Sequence, residues 1–170
     1  MLDLGCGVGD DSLELAEVGC RVVALDLDPE RVRHVPAAAV TGRVAGDVVA
    51  SLPFPDCLFD CIVASLSLHY FTVEDTSRAF AEVARVLVPR GWLILRVNAV
   101  GDVNFGYGVG GEVEPSLYRQ PEGHLKRFFD EEMLRRFLDP CFTLEHIVPR
   151  MILQHGIEKQ TLECVAQKRG

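Results

Sequence analysis

Three glycines, Gly5, Gly7 and Gly9, alternate with other residues directly after the apolar run Met1–Leu4 and directly before a helix-forming stretch at Asp10. A glycine turn between a strand and a helix lets the backbone approach a ligand closely and aims the helix N-terminus at it. The dinucleotide fingerprint is GxGxxG, whose third glycine allows tight helix packing. Here the pattern is GxGxG, and Asp10 follows. An acid there repels a pyrophosphate, so the loop suits a nucleoside ligand without phosphates better than a nicotinamide dinucleotide. A second acid, Asp26, closes the apolar run Val22-Val23-Ala24-Leu25. An acid about 20 residues past the glycines, at the end of the second strand, typically binds ribose hydroxyls.

The rest of the first hundred residues alternates in the same rhythm. Helix signals fall on Asp10–Val18 with Gly19 as its stop, at Pro29, and on Glu74–Val88, whose Phe80, Val83, Ala84 and Leu87 share one face. Pro36 cuts the second of these helices short. Strand signals fall on Arg21–Leu27, Val40–Ala45, Phe59–Ser65 and Trp92–Val97, with Pro89-Arg90-Gly91 read as a turn before the last. Apolar strands alternating with helices predict a parallel sheet covered on both faces. After Val97 the pattern changes. Asn98–Gly123 is rich in glycine and aromatic residues and is long for a structureless connection. Asp130 then caps a short helix to Leu138, and Phe142–Val148 with Thr161–Gln167 predict an antiparallel hairpin joined by a loop.

Charge and length exclude several classes. With 170 residues the chain is read as one domain. Its net charge of -8 argues against a duplex-binding surface, which works by neutralising phosphates. No apolar run approaches the ~20 residues of a membrane span, and Asp3 and Asp10 fall where a signal peptide would be basic or apolar. The expected setting is therefore cytoplasmic, with no nucleic acid and no membrane as partner, and a monomer or homodimer as the assembly. The six cysteines show no CxxC spacing, so they read as reduced thiols and not as a metal site.

Taken in order, these segments resemble the class I S-adenosylmethionine-dependent methyltransferases. Leu2-Asp3-Leu4-Gly5-Cys6-Gly7-Val8-Gly9 is similar to their first motif, and Leu25-Asp26-Leu27-Asp28-Pro29 to their second-strand end. Gly46-Asp47-Val48 with Leu52-Pro53-Phe54 resembles their adenine-side loop. Phe59-Asp60-Cys61-Ile62-Val63, Ser65-Leu66-Ser67-Leu68-His69-Tyr70 and the Val83–Trp92 segment resemble the fourth strand, its edge and the approach to the fifth. The resemblance implies a Rossmann-like, doubly wound α/β fold. Its sheet would be seven-stranded and mostly parallel, with a C-terminal antiparallel hairpin and helices on both faces. It implies S-adenosylmethionine as cofactor. Asp3, Gly5, Gly7 and Gly9 would border its methionine end, Asp26 and Leu27 the ribose, Asp47 and Val48 the adenine, and Ser65 the transfer site. N-terminal covering helices, usual in that family, are expected to be missing from 1–170.

The acceptor side is expected in 98–129, a substrate-side insertion holding Asn98, Asp102, Asn104, Tyr107, Tyr118, His124, Lys126 and Arg127. Its glycines suggest a flap that closes over ligand. Gly123–Phe129 resembles a segment of small methyltransferases near the tellurite-resistance group. Transfer needs mainly alignment of the acceptor with the methyl group. A base is needed only for a protonated acceptor, and His69 and His124 are the candidates. Tyr70, Phe71, Tyr107 and Tyr118 are candidates to flank an acceptor, and Lys126 and Arg127 to meet an anionic one. Ser65-Leu66-Ser67-Leu68 lacks the Asp/Asn-Pro-Pro-aromatic signature of DNA amino-methyltransferases, which favours a small-molecule acceptor. Two other readings are a truncated or non-catalytic S-adenosylmethionine-binding module and a nicotinamide oxidoreductase, the latter opposed by Asp10.

Overall fold

The computed structural model describes residues 1–170. The first five strands are β1 (Leu2–Leu4), β2 (Val23–Asp26), β3 (Gly42–Ala45), β4 (Phe59–Ser65) and β5 (Leu87–Asn98). Between them lie helices α1 (Asp10–Glu17), α2 (Pro29–His34) and α3 (Val73–Val86). Three short strands follow, β6 (Gly111–Glu114), β7 (Leu117–Arg119) and β8 (Leu125–Arg127), then helix α4 (Glu131–Leu138) and the hairpin β9 (Phe142–Gln154) with β10 (Ile157–Lys168).

The main sheet has the order β3-β2-β1-β4-β5-β10-β9. Strands β1 to β5 run parallel, and β10 is antiparallel to both neighbours. The chain leaves β1 outward to β2 and β3, then returns to β4 on the other side of β1. Such a switch in strand order opens a crevice at the carboxyl ends of the strands, where ligands bind in open α/β sheets. That crevice is where the glycine turn lies.

Strand alternation divides the sheet into two faces. Ile62 and Ala64 of β4, Leu93, Leu95 and Val97 of β5, and Leu162, Cys164 and Ala166 of β10 are buried in the main core with Phe80, Val83 and Ala84 of α3 and Leu134 and Leu138 of α4. Each of these helices is capped by its own sequence: Thr72 accepts from the amide of Asp75 and Asp130 from that of Met133. On the opposite face α1 and α2 cover β1 to β3, with Cys6, Ala24, Val32 and Val35 packed together. The same face of β4, β5 and β10 is open. Trp92 and Ile94 are exposed there, and a trough of about 410 Å³ runs from Leu15 and Val18 to Arg96 and Glu163. Leu13, Leu15 and Ala16 of α1 are accordingly only half-buried, and Val18 is exposed.

Two expectations are corrected. Strand β5 starts at Leu87 and not at Trp92: Pro89-Arg90-Gly91 lies within it, with the pairing to β4 shifted between Phe59 and Cys61 and Arg90 at a φ of 63. The hairpin has no loop over 149–160. Its strands continue to a tight turn at His155 and Gly156, both at positive φ, as two-residue hairpin turns require. Pro149 fits because β9 is an edge strand. Within 98–129 the chain forms a second, antiparallel sheet β6-β7-β8, and the glycines read as a flap, Gly106 to Gly110, lie in the turns just before it. Its polar anchor is Arg127, fully buried, which donates to the carbonyls of Phe71 and Pro115 and to the Glu114 carboxylate. Finally, all six cysteines are free thiols, as the sequence suggested.

Candidate functional site

The crevice is a cleft of about 510 Å³ at the carboxyl ends of β1 to β4. Pockets of ~300–1,000 Å³ are the usual size for small-molecule and cofactor sites. Each strand end contributes: Leu4 and Gly5 from β1, Leu25 to Asp28 from β2, Gly46 to Val48 after β3, and Leu66 to Leu68 after β4. Arg31 on α2 and Tyr70, Phe71 and His124 complete the wall.

Gly5 shows why the turn is built from glycine. Its φ is +79, and a side chain there would collide with Ser67. Ser67 in turn donates from its hydroxyl to the Leu4 carbonyl at 2.6 Å, tying the β1 end to the β4 end across the cleft floor. Gly7 donates its amide to Asp26 Oδ2 at 2.9 Å, while Asp26 Oδ1 accepts from the Asp28 amide at 2.9 Å. The Asp26 carboxylate is thereby fixed at the rim, half-exposed, beside the exposed Leu27. Gly9 has a φ of 100 and supplies the carbonyl that starts α1. Asp47 accepts from the Val49 amide at 2.9 Å, with Val48 buried beside it. The loop that follows is held to α3 by Arg85, which donates to the Leu52 and Phe54 carbonyls, and by Glu82, which accepts from the Leu52 amide.

Asp3 lies beneath the glycine turn, 1% exposed, and accepts from the Ser12 hydroxyl at 2.5 Å. Burial pushes its pKa from an ordinary 3.8 up to about 6; the Ser12 bond opposes that rise, and Asp11 and Asp26 add to it. Burial likewise pushes the neighbouring Cys6 thiol up to about 12.

Among the expected cofactor residues, Gly5, Asp26, Leu27, Asp47 and Val48 line the cleft, with Gly7, Gly9 and Asp3 just behind it. Ser65 is placed elsewhere. It shares its face with Val63 and points into the open trough, accepting from Arg96 at 3.4 Å. The residues after it reach the cleft because Leu66, at a φ of 53, turns the chain there. His124 is exposed on the cleft wall, and Tyr70 is 45% exposed there. His69 is 3% exposed and is not part of the wall. Burial, then the charges of Lys126, Lys159 and His124, hold its pKa well below 6.5, so its ring is neutral. Tyr107 and Tyr118 pack with Phe128 at ring separations of 5.4 to 6.0 Å. Arg127 is consumed by the partners named above, and Lys126 donates to the Phe105 carbonyl at 2.7 Å. Phe71, a candidate acceptor flank, lines the cleft beside Tyr70, whereas sequence reasoning missed Arg31, Leu66, Ser67 and Leu68. Only Arg31 had a signal, one turn into the helix that Asp28 and Pro29 start.

The cleft lining carries three carboxylates, Asp26, Asp28 and Asp47, against one guanidinium, Arg31. Such a site is suited to a nucleoside bearing positive charge and not to a pyrophosphate. A methyltransferase domain family model matches residues 2–95 of the chain. A putative methyltransferase of Encephalitozoon cuniculi is 30% identical over 173 residues, covering 99% of this chain and 78% of that protein. The chain belongs to the class I S-adenosylmethionine-dependent methyltransferases. An uncharacterized methyltransferase of Synechocystis is 36% identical over 95 residues, and that match spans only 43% of the Synechocystis protein. Among solved structures, an S-adenosylmethionine-dependent methyltransferase of Methanosarcina mazei superposes with a TM-score of 0.81 at 26% identity, over 99% of this chain and 91% of that one. The Burkholderia thailandensis 1,6-didemethyltoxoflavin-N1-methyltransferase, solved with 1,6-didemethyltoxoflavin and S-adenosylhomocysteine, gives 0.75 at 24% identity, over 99% and 70%. The methyltransferase fold thus extends over the whole chain, including the hairpin and the β6-β7-β8 sheet. No helix is long and apolar enough to cross a membrane.

Proposed function

We propose that this methyltransferase-family chain binds S-adenosylmethionine in the cleft and transfers its methyl group to a small-molecule acceptor. The observation that carries the reading is the Asp26 carboxylate, fixed at the rim by the Gly7 amide within a cleft whose charged side chains are three carboxylates and one guanidinium. When bound, the cofactor supplies an electrophilic methyl group on a sulfonium. Asp26 has lone pairs left for the ribose hydroxyls after accepting two backbone amides. Leu27 and Val48 offer apolar surface to the nucleoside, and Asp47 stands beside Val48 as a hydrogen-bond acceptor. Asp3, buried under the turn, supplies negative charge to the cationic end of the ligand. Tyr70 and His124 stand on the wall that leads toward the β6-β7-β8 sheet, and the acceptor approaches there. His124, exposed, is the group in reach of an acceptor proton. His69 stays neutral behind the wall.

A small-molecule acceptor is supported by the chain's charge of -8 and by the size of the cleft. The 1,6-didemethyltoxoflavin enzyme of the same fold provides a precedent. The whole of 1–170 acts as one domain in this reading, with 98–129 as its acceptor side. A second reading is a cofactor-binding module that does not turn over: the residues lining the cleft can bind and orient a nucleoside, while His124, the group on its wall in reach of an acceptor proton, is exposed to water. Calorimetric titration with S-adenosylmethionine and S-adenosylhomocysteine, with NAD as control, tests the cofactor. Binding of the first two, weakened at least tenfold by Asp26→Ala, is expected. A folded chain that binds neither rejects the proposal, and binding without transfer across a broad acceptor panel favours the second reading.

A further inference from the structure

Helix α1 presents two faces to the molecule. Ser12, bonded to Asp3, lies on the side toward the sheet. Asp11, Glu14, Leu15 and Val18, spaced i, i+3, i+4 and i+7, form a second face, and all four line the open trough. That is the spacing of a helix that packs against a neighbour, and no element of the chain lies beside it there. The floor of the trough is built alike. Val63 of β4 and Val165 of β10 stand directly on either side of Ile94 of β5, with Trp92 one step below. Val18, Trp92 and Ile94 are exposed. Parallel strands are as a rule covered on both faces, and the other face of these strands carries α3 and α4.

The charges around the trough are unequal. Helix α1 holds four carboxylates, Asp10, Asp11, Glu14 and Glu17, and no cation. None of the four enters an ion pair. Asp10 and Asp11 suit a helix N-terminus, where the macrodipole favours anions, but Glu14 and Glu17 stand in the second half, where cations are favoured. On the far wall Arg96 and Arg150 are both taken up by Glu163, with exposed His146 beside them. The acids of α1 are left without a counter-charge.

We propose that the trough is a docking groove for one basic amphipathic helix of a partner protein. From β4 to β9 there are three strand spacings, about 14 Å, and a helix with its side chains is about 10–12 Å across. From Trp92 to Arg96 the floor runs about 13 Å along the strands, the length of about nine helical residues. The apolar ridge of the partner helix covers Trp92, Ile94 and Val18. Its flank toward α1 carries lysine or arginine at a spacing of three or four, opposite Asp11 and Glu14. Apolar patches rimmed by polar groups mark protein interaction sites. A second copy fits less well, because a chain of net charge -8 with four carboxylates on this rim meets itself acid to acid. A small apolar molecule leaves the carboxylates unmatched. The inference goes beyond the cofactor reading and does not depend on it, since the trough and the cleft share no lining residue.

The test uses the whole chain, with its single tryptophan, Trp92, as reporter. The probe is a peptide of about five helical turns, with leucine at i, i+3, i+4 and i+7 and lysine elsewhere. The controls are the same peptide with glutamate for lysine, and the leucine–lysine peptide in scrambled order. The probe is expected to shift Trp92 emission to the blue, saturating at one peptide per chain, and the controls to leave it unmoved. Ile94→Asp, and Val18→Asp at an exposed position on α1, are expected to weaken binding about tenfold or more, as loss of a central apolar contact does. Glu14→Lys is expected to weaken it about fivefold, as reversal of a surface ion pair does. Emission unmoved by the probe overturns the proposal. An equal response to the scrambled peptide overturns it in favour of general attraction to an acidic surface. Probe affinity unchanged in both Val18→Asp and Ile94→Asp puts the peptide elsewhere and overturns it too. Sedimentation of the chain alone is expected to show a monomer; a dimer that Val18→Asp splits makes a second copy the occupant and overturns the proposal.

Discussion

Asp3→Asn is predicted to stabilise the fold at neutral pH while weakening the ligand site. Asp3 is buried beneath the glycine turn with one hydroxyl partner, Ser12, and its pKa is raised from 3.8 to about 6. Because the folded value lies above the unfolded one, the fold favours the protonated carboxyl. The stability this provides is fully present below pH ~4 and is lost as the pH rises through about 6. At about 1.4 kcal/mol per pH unit, an ionised Asp3 costs the native state about 3 kcal/mol at pH 7.5. Asparagine has nearly the same shape, carries no charge and still accepts from Ser12. Urea denaturation at pH 4 and 7.5 measures both ends: Asp3→Asn should match the wild type within about 1 kcal/mol at pH 4 and exceed it by about 2–3 kcal/mol at pH 7.5. A cationic ligand end above the turn would offset that cost in the wild type alone. S-adenosylhomocysteine should therefore bind the wild type more tightly as pH rises from 5 to 7, with protons released, and the variant without that dependence. Equal stability of the two proteins at pH 7.5 would refute the raised pKa. A wild-type affinity flat across that range would refute the charge's role in binding.

Gly5→Ala should cost about 1–2 kcal/mol for the left-handed backbone alone, and more for the collision with Ser67; adding Ser67→Gly should recover the collision share, read as a double-mutant cycle in urea. Arg127→Ala should lower stability by about 3–5 kcal/mol, since it leaves Glu114 and two carbonyls without their buried partner. Limited proteolysis should then cut first within 111–127. An intact β6-β7-β8 sheet in that variant would contradict the anchoring role.

Sequence signals that act locally were legible. Strand β4 runs over Phe59–Ser65 as its apolar pattern indicates, and Pro29 and Asp130 start their helices where proline and aspartate are favoured. The turn at Gly5 and the acid at Asp26 could be read because both act through the backbone within one strand–helix–strand unit. The limits came where geometry depends on distant chain. Pro89-Arg90-Gly91 has the composition of a turn, yet pairing with β4 and β10 carries the strand past it. The short strands β6 and β8 gain their stability from Arg127 and the Tyr107–Tyr118–Phe128 contacts, neither visible in a window of four residues.

Ser65 shows how one residue of register redirects a role. Ile62 and Ala64 point into the core, so Ser65 must point to the opposite face, and there α1 leaves the sheet uncovered. Motif position marked the strand end correctly but not the side chain's direction, which the period of two decides. What brings this part of the chain to the cleft is Leu66, whose positive φ a leucine does not advertise. The buried Lys159–Asp102 ion pair was still less visible, since Lys159 stands 57 residues from Asp102 and meets it only because β10 pairs back along β5, with Thr161 opposite Asn98. The antiparallel hairpin extends the sheet by two strands and also carries a charge from the far end of the chain to Asp102. In this fold the glycine turn and Asp26 are written in contiguous motifs at β1 and β2, and the Lys159–Asp102 pair in residues that only the sheet order brings together.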